Sequence, residues 1–530
     1  MTHQLASRLA LVHQATTDRK MGRQIASKSF VDALSRHSTE KLQFIKPAVP
    51  APALRTGKPP WEGLFLGDPN FLPYATERHW NDPRNYSLIG ITHTLSTPAA
   101  LRCFMALPQA PLNDWDALIC TSRAAHSALE VIWNYIEDLW QMRGCRPPDR
   151  PQLPVIPLGI NTDTFRASIS RQDARRQLQL PSDAAVVLWT GRLELHCKAH
   201  HGATFRALAH AAAACPERSW VLLMYGTAVM PTIPTALIEA AAELCPSVEV
   251  RLLNGHNLSL GAVARAASDA FLSLVDCLQE TFGLTPVEAM ASRLPVVASD
   301  WNGYRDTVVE GRTGFRIPTQ SFEPGWSDPQ LQQLAYQDHA LDKVSARISS
   351  QIGVDAAAAG AALARLAKSP EMAVAMGCLG EQRARKQYDW SVVLQRYSDL
   401  LDDLLERRQK ALTNPDSAPL ESLRAIPPLA QIFAAWPSRT IDAHTAIKPC
   451  GDSPNLHHYL KLAMVRIYRN ELPPAQLIQK TFQQLQALGN PNLKQLQSLA
   501  QPSWSDAEAA RLPEALGWLL KHGFAEVDSP

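Results

Sequence analysis

Asp269-Ala-Phe-Leu-Ser-Leu-Val275, Glu280-Thr-Phe-Gly-Leu-Thr-Pro-Val-Glu288-Ala-Met-Ala291 and Pro295-Val-Val-Ala-Ser299 decide the fold of this chain. The first segment is short and largely apolar, the pattern of a strand buried in a parallel sheet. Gly283 then lets the backbone turn and approach a ligand closely. Thr285 suits a helix N-cap, Pro286 the first helical position and Glu288 the third, so Thr285-x-x-Glu288 reads as a capping box. The helix is expected to run to Arg293-Leu294, where Pro295 helps end it. A second apolar strand follows. Such a strand–helix–strand unit is α/β, with a helix N-terminus at the carboxyl edge of the sheet. Open α/β sheets bind ligands at that edge, and helix N-termini attract phosphate.

Glu280 and Glu288 stand at the two ends of this joint. Taken alone, Glu288 caps its own helix and Glu280 is a solvated loop carboxylate; taken together, they are a candidate ligand site. Upstream, Ala185-Val-Val-Leu-Trp-Thr-Gly191-Arg192 reads as a strand that ends at a glycine, with Arg192 and Lys198 reaching outward. Arginine offers a planar fork of donors and lysine a compact cation, so the pair suits a diphosphate. The plain alternative is two exposed basic residues on a loop. Tyr86-Ser-Leu-Ile-Gly90-Ile-Thr-His93 reads as a strand ending in a polar turn that carries His93. A lone histidine in such a turn is structural more often than catalytic. Near the start, Gly22 precedes an amphipathic helix to Leu34, behind a weak strand from Leu9 to Gln14.

The block from Phe271 to Pro318, including Asp300-Trp-Asn-Gly303-Tyr-Arg-Asp306 and Glu310-Gly-Arg-Thr-Gly314-Phe, resembles the donor-binding half of retaining glycosyltransferases of family four. In that family a glutamate-x7-glutamate motif precedes an alanine-rich helix, a PVVAS strand and a glycine turn. Pro154-Val-Ile-Pro-Leu-Gly159-Ile-Asn-Thr-Asp163-Thr-Phe165 resembles the family's hinge, and Gly191-Arg192-Leu193 to Lys198 its basic segment. The resemblance implies a GT-B fold, with two Rossmann-like domains facing a cleft. It implies a nucleotide-sugar co-substrate, UDP- or GDP-linked in first expectation, and neither metal nor further cofactor. Glu280 and His93 would be catalytic. Arg192, Lys198, Phe282, Gly283, Leu284, Glu288 and Gly22 would bind the donor. The sequence departs from the pattern at Lys198, one residue further from Arg192 than usual, and at Arg293, where many relatives carry glycine. Trp301-Asn302-Gly303-Tyr304 replaces a common glycine pair and is expected to add bulk near the sugar.

Residues 1–150 are read as the acceptor domain, 151–411 as the donor domain with a helix from Trp390 crossing back, and 412–530 as a helical accessory domain. Pro147-Pro148 and Pro151 mark the first linker, Thr413 to Pro419 the second, and Gln320 to Leu341 a polar insertion. In the last domain, helices are expected over 456–468, 474–487 and 507–522, as a winged-helix-like module or a packing domain that could mediate oligomers.

Composition is ordinary for a globular protein, 46% hydrophobic and 19% charged over 530 residues, and agrees with the enzyme that the resemblance implies. A net charge of +2 gives no strong field for nucleic acid, and the mild basic excess of the first half tolerates peripheral contact with an anionic membrane. Nine cysteines without a CxxC, and no long apolar run at the amino terminus, lead to the expectation of a cytoplasmic protein. The expected activity is transfer of a hexosyl unit to a glycan, lipid-linked or small-molecule acceptor. A non-catalytic nucleotide-sugar sensor or scaffold is the alternative. A phosphorylase-like GT-B enzyme would need a lysine set to hold pyridoxal phosphate, which is not recognisable.

Overall fold

The computed structural model describes residues 5–12, 22–38, 40–45, 59–147, 149–195, 198–278, 280–323, 346–413, 429–438, 440–466, 472–500 and 504–527. They fall into two compact units, Met1–Ile426 and Pro427–Pro530. The first unit contains two parallel sheets. One holds β1 (Leu9–Val12), β2 (Gln43–Ile45), β3 (Gly63–Phe65), β4 (Ser87–Ile91) and β5 (Ala117–Ile119), in the order β2-β1-β3-β4-β5. The other holds β6 (Ala185–Leu193), β7 (Trp220–Ala228), β8 (Val248–Asn254), β9 (Ala270–Ser273), β10 (Val296–Ser299) and β11 (Gly314–Ile317), in the order β11-β10-β9-β6-β7-β8. All pairings within both sheets are parallel. These are the two Rossmann-like halves of the GT-B class expected from the sequence.

The deciding stretch builds the centre of the second sheet. β9 and β10 are buried along their whole length, so their near-continuous apolar character comes from cover on both faces. Gly314 allows β11 to lie against β10, because a Cβ there would stand 1.8 Å from the Val296 carbonyl oxygen. In the first sheet the buried Asp116 carboxylate ties the strand ends. It accepts from the Leu88 N–H at 2.8 Å and from Arg78 Nη2 at 2.7 Å.

The segment between the sheets follows the expected hinge. The Ile156 N–H donates to the Cys120 carbonyl at 3.0 Å at one end, and the Ile160 N–H to the Tyr388 carbonyl at 2.8 Å at the other. The helix Trp390–Thr413 returns to the first sheet as expected. Val393, Leu394, Tyr397, Leu401 and Leu404 join one core with Leu9, Phe30, Phe65 and Ile89. At its ends Trp390 Nε1 donates to Ser29 Oγ at 2.9 Å and Arg408 Nη1 to the Glu62 carbonyl at 2.9 Å.

The second unit is mainly helical, with Ser453–Tyr459, Ala475–Leu488 and Leu512–Lys521 its longer described helices besides Leu493–Ala500. An antiparallel ribbon of Ile447–Pro449 and Ala525–Val527 joins them around Phe482, Trp504, Trp518 and Phe524. Gly523, at φ +74°, ends the last helix, as its place after Lys521-His522 predicts. Residues 324–341 of the expected insertion and 414–419 of the second linker lie outside the described residues.

Candidate functional site

Loops at the carboxyl ends of β6 and β9 carry the expected charged groups, and these strands are neighbours in the sheet. Parallel pairing therefore brings residues about eighty positions apart to one edge. Lys198 Nζ lies 2.5 Å from Glu280 Oε2, both side chains being mostly buried. Burial alone would lower the lysine's pKa, but the adjacent carboxylate more than offsets this and the net shift is upward. Lys198 is thus a fixed cation despite its departure from the usual spacing. Arg192, the penultimate residue of β6, pairs with Glu194 Oε2 at 2.7 Å and stands near enough to Lys198 to oppose its charge.

A further carboxylate ties the two loops. Asp276, just beyond β9 and only 5% exposed, accepts from the His200 N–H at 3.2 Å. Burial pushes its pKa up to about 6, partly opposed by that hydrogen bond. Below pH ~4 the group is protonated in both folded and unfolded chains; between there and about 6 only the folded chain keeps the proton. Its contribution to stability is therefore fully present at low pH and is lost as pH rises through about 6. Asp276→Asn keeps an acceptor for His200 without the charge. It should match the wild type near pH 4 and exceed it by up to about 3 kcal/mol at pH 8, in denaturant titrations across that range. A constant offset at every pH would contradict this account.

The helix expected after Gly283 is present as Leu284–Ala291, but its cap differs. Gly283, at φ +81°, is the N-cap, and no side chain caps the helix. Thr285 falls inside the first turn, so the capping box with Glu288 is not formed. The reason is Tyr304. Its buried ring fills the space beside Gly283, where a Cβ would stand 2.0 Å from Tyr304 Cε1. Its hydroxyl is 2.9 Å from Ser273 Oγ and also engages the Thr285 side chain. Tyr304 therefore supports the glycine turn from beneath. The bulk expected from Trp301 to Tyr304 is in part buried structure, and Trp301 Nε1 donates to the Cys277 carbonyl at 2.9 Å. Arg293 adopts φ +61° just past the helix, a conformation that suits glycine better than arginine.

Released from capping, Glu288 is half-buried on the second turn of its helix. Burial raises its pKa, while Arg265 and Lys198 pull it back down. Arg265 lies on the helix Leu258–Ala267 and stacks over Phe165 at 5.0 Å. Beside it, the Tyr225 hydroxyl donates to the carbonyls of Gly255 and Asn257 at 3.1 and 3.2 Å, fixing the Asn254–Asn257 loop. The N–H groups of Gly283, Leu284 and Thr285 include those that a helix start leaves without an intrahelical acceptor. The Phe282 ring is buried, 5.8 Å from Tyr388.

His93 follows β4, and its carbonyl accepts from Thr281 Oγ1 at 2.8 Å, which brings it beside the Glu280 loop. Gly22 opens the helix Gly22–His37. The structure thus brings Arg192, Lys198, Glu280, Glu288 and His93 to one region; Gly22 makes no described contact with them. Asp276, Thr281 and Arg265 were not anticipated, and Tyr304 was expected only as bulk near the sugar, not as the support of the glycine turn. Asp276 had a readable signal, a single acid closing an apolar strand at the ligand-binding edge. Thr281 had none.

Residues 170–323 match the family model of glycosyl transferases group 1. A D-inositol 3-phosphate glycosyltransferase of Nocardia farcinica is 30% identical over 253 residues, covering 46% of this chain and 52% of that protein. The protein of the same name from Streptomyces avermitilis is 31% identical over 230 residues, covering 40% and 46%. The chain thus spans about half the length of the curated relatives it matches. Among solved structures, Anabaena HepE in complex with UDP and glucose aligns with TM-score 0.49 and 14% identity, over 74% of this chain and 99% of that one. Arg192, Lys198, Glu280 and Glu288 all lie within the family match. No described helix is long and apolar enough to cross a membrane.

Proposed function

We propose that this protein is a retaining glycosyltransferase that moves a hexosyl unit from a nucleotide sugar to a hydroxyl acceptor. The observation that carries the reading is the Lys198–Glu280 pair, 2.5 Å apart at the carboxyl edge of a parallel sheet, inside the segment that matches the family. Lys198 and Arg192 hold the diphosphate and neutralise the charge that grows on it as the anomeric C–O bond breaks. Glu280 accepts from sugar hydroxyls and offsets the positive, oxocarbenium-like ring. Glu288 accepts from the ribose hydroxyls, with Arg265 and Lys198 partly offsetting the burial that raises its pKa. The backbone of Phe282, Gly283 and Leu284 faces sugar and phosphate. The acceptor oxygen then bonds to the anomeric carbon on the face the diphosphate leaves, and its proton passes to the departing phosphate oxygen. No separate protein base is required, unlike the two-carboxylate hydrolases. His93 faces the reacting sugar from the acceptor side. The names of the relatives make inositol 3-phosphate the first acceptor to try.

The test is a thermal-shift screen with UDP-, GDP-, ADP- and TDP-sugars, followed by mass analysis of products with the best donor. Stabilisation with neither transfer nor slow hydrolysis would favour a binding-only protein. Glu288→Ala should weaken binding of the matching nucleoside diphosphate at least ~10-fold, about 1.4 kcal/mol, with melting temperature nearly unchanged, since no cap is lost. A lowered melting temperature with unchanged affinity would remove Glu288 from the site.

A further inference from the structure

Thr281, directly after Glu280, makes a three-way junction between the two halves of the first unit. Its hydroxyl donates to the His93 carbonyl at 2.8 Å and accepts from Thr121 Oγ1 at 3.4 Å. Its own carbonyl accepts from Ser122 Oγ at 2.6 Å. All three partners belong to the first sheet's half: His93 follows β4, and Thr121 and Ser122 follow β5. Ser122 is at the same time the N-cap of the helix Arg123–Met142, accepting from the Ala125 N–H at 3.1 Å. One residue on, the Arg123 N–H and Nε both donate to Asp306, each at 2.6 Å, and Asp306 belongs to the second half. The start of a first-half helix is thereby docked onto the glycine loop of the second half.

The flanking residues give this junction its consequence. On one side Phe282 is anchored, its ring 1% exposed in the second half's core. On the other is Glu280, held to Lys198. Thr281, only 8% exposed, is the point at which the first half grips the backbone between them. We infer that Thr281 is a positioning residue: its hydroxyl couples apposition of the two halves to the placement of Glu280 against His93. Transfer is then supported only when the halves are together, while nucleotide binding on the second half does not require it. The inference rests on the proposed role of Glu280.

Thr281→Val removes the hydroxyl with little change of shape, and Thr281→Ser retains it. The valine variant should lose roughly tenfold in kcat, with donor KM and nucleoside-diphosphate affinity within about threefold of wild type. The serine variant should stay within about threefold of wild-type kcat. In ligand-free protein, amide hydrogen exchange of peptides covering Glu280–Leu284 and Thr92–Thr94 should quicken together in the valine variant only. Unchanged kcat in Thr281→Val, or serine as impaired as valine, would overturn the positioning role. If the wild-type protein transfers no sugar, the catalytic reading has failed by itself. Exchange then decides the junction: joint quickening supports it, and unchanged exchange in both segments overturns it.

Discussion

Glu280→Gln is expected to lower transfer by on the order of 10²-fold or more, while nucleoside-diphosphate affinity stays equal or becomes tighter. The two halves of this expectation come from the same contact. Lys198 Nζ is held by Glu280 Oε2 at 2.5 Å, so a diphosphate bound there must share its cation with a carboxylate that also repels it. Glutamine still offers an oxygen to the lysine, which preserves the local geometry, but it no longer competes through charge. Ground-state binding therefore gains or is unaffected. The reacting ring, which becomes positive only as the anomeric bond breaks, loses the negative neighbour that favours it. A group acting in this way lowers kcat and kcat/KM together. Single-turnover rates with titration calorimetry of the nucleoside diphosphate separate the two effects. Unchanged turnover would sink the role of Glu280. Affinity that fell in step with rate would make Glu280 a donor-holding group instead.

The second half of the fold was legible because its signals are local. Buried strands declare themselves by continuous apolar runs, and the glycines at 283 and 314 stand where the backbone truly needs them. The charged site was legible for a related reason: in a parallel sheet, residues just past the strand ends share one edge whatever lies between them in sequence. The helix cap was misread because Thr285, Pro286 and Glu288 satisfy every local rule for a capping box. What overrides them is Tyr304, sixteen positions beyond Glu288, which packs on Gly283 and engages the Thr285 hydroxyl. The junction at Thr281 was invisible for the same kind of reason. A threonine between Glu280 and Phe282 has no pattern of its own, and its partners His93, Thr121 and Ser122 come from the other sheet. Local chemistry predicts elements and strand-end groups; it does not predict which side chain of one half meets which loop of the other.

Trp390→Ala should cost about 3–5 kcal/mol and separate the melting of the two halves. Trp390 is 3% exposed and, at the start of the crossing helix, touches both the hinge and a first-half helix. Its indole covers Gly159 of the hinge, where a Cβ would stand 2.5 Å from the ring. Its Nε1–H reaches Ser29 Oγ at 2.9 Å on the helix Gly22–His37, and its ring centroid lies 5.8 Å from that of Phe30. Truncation leaves a cavity at the point where hinge, first-half helix and crossing helix meet, and none of the three can close it without moving the others. The cost therefore belongs at the upper end of the range for large-to-small changes, and it falls on the contact between halves rather than within either sheet. Trp390→Phe retains most of the packing and should lose only about 1 kcal/mol with the hydrogen bond. In calorimetry the alanine variant should show two transitions. Only the one belonging to the second half should rise with added nucleoside diphosphate, because a ligand stabilises the unit that binds it. One ligand-responsive transition, lowered by less than about 1 kcal/mol, would mean that the hinge and crossing helix are held by contacts other than this indole.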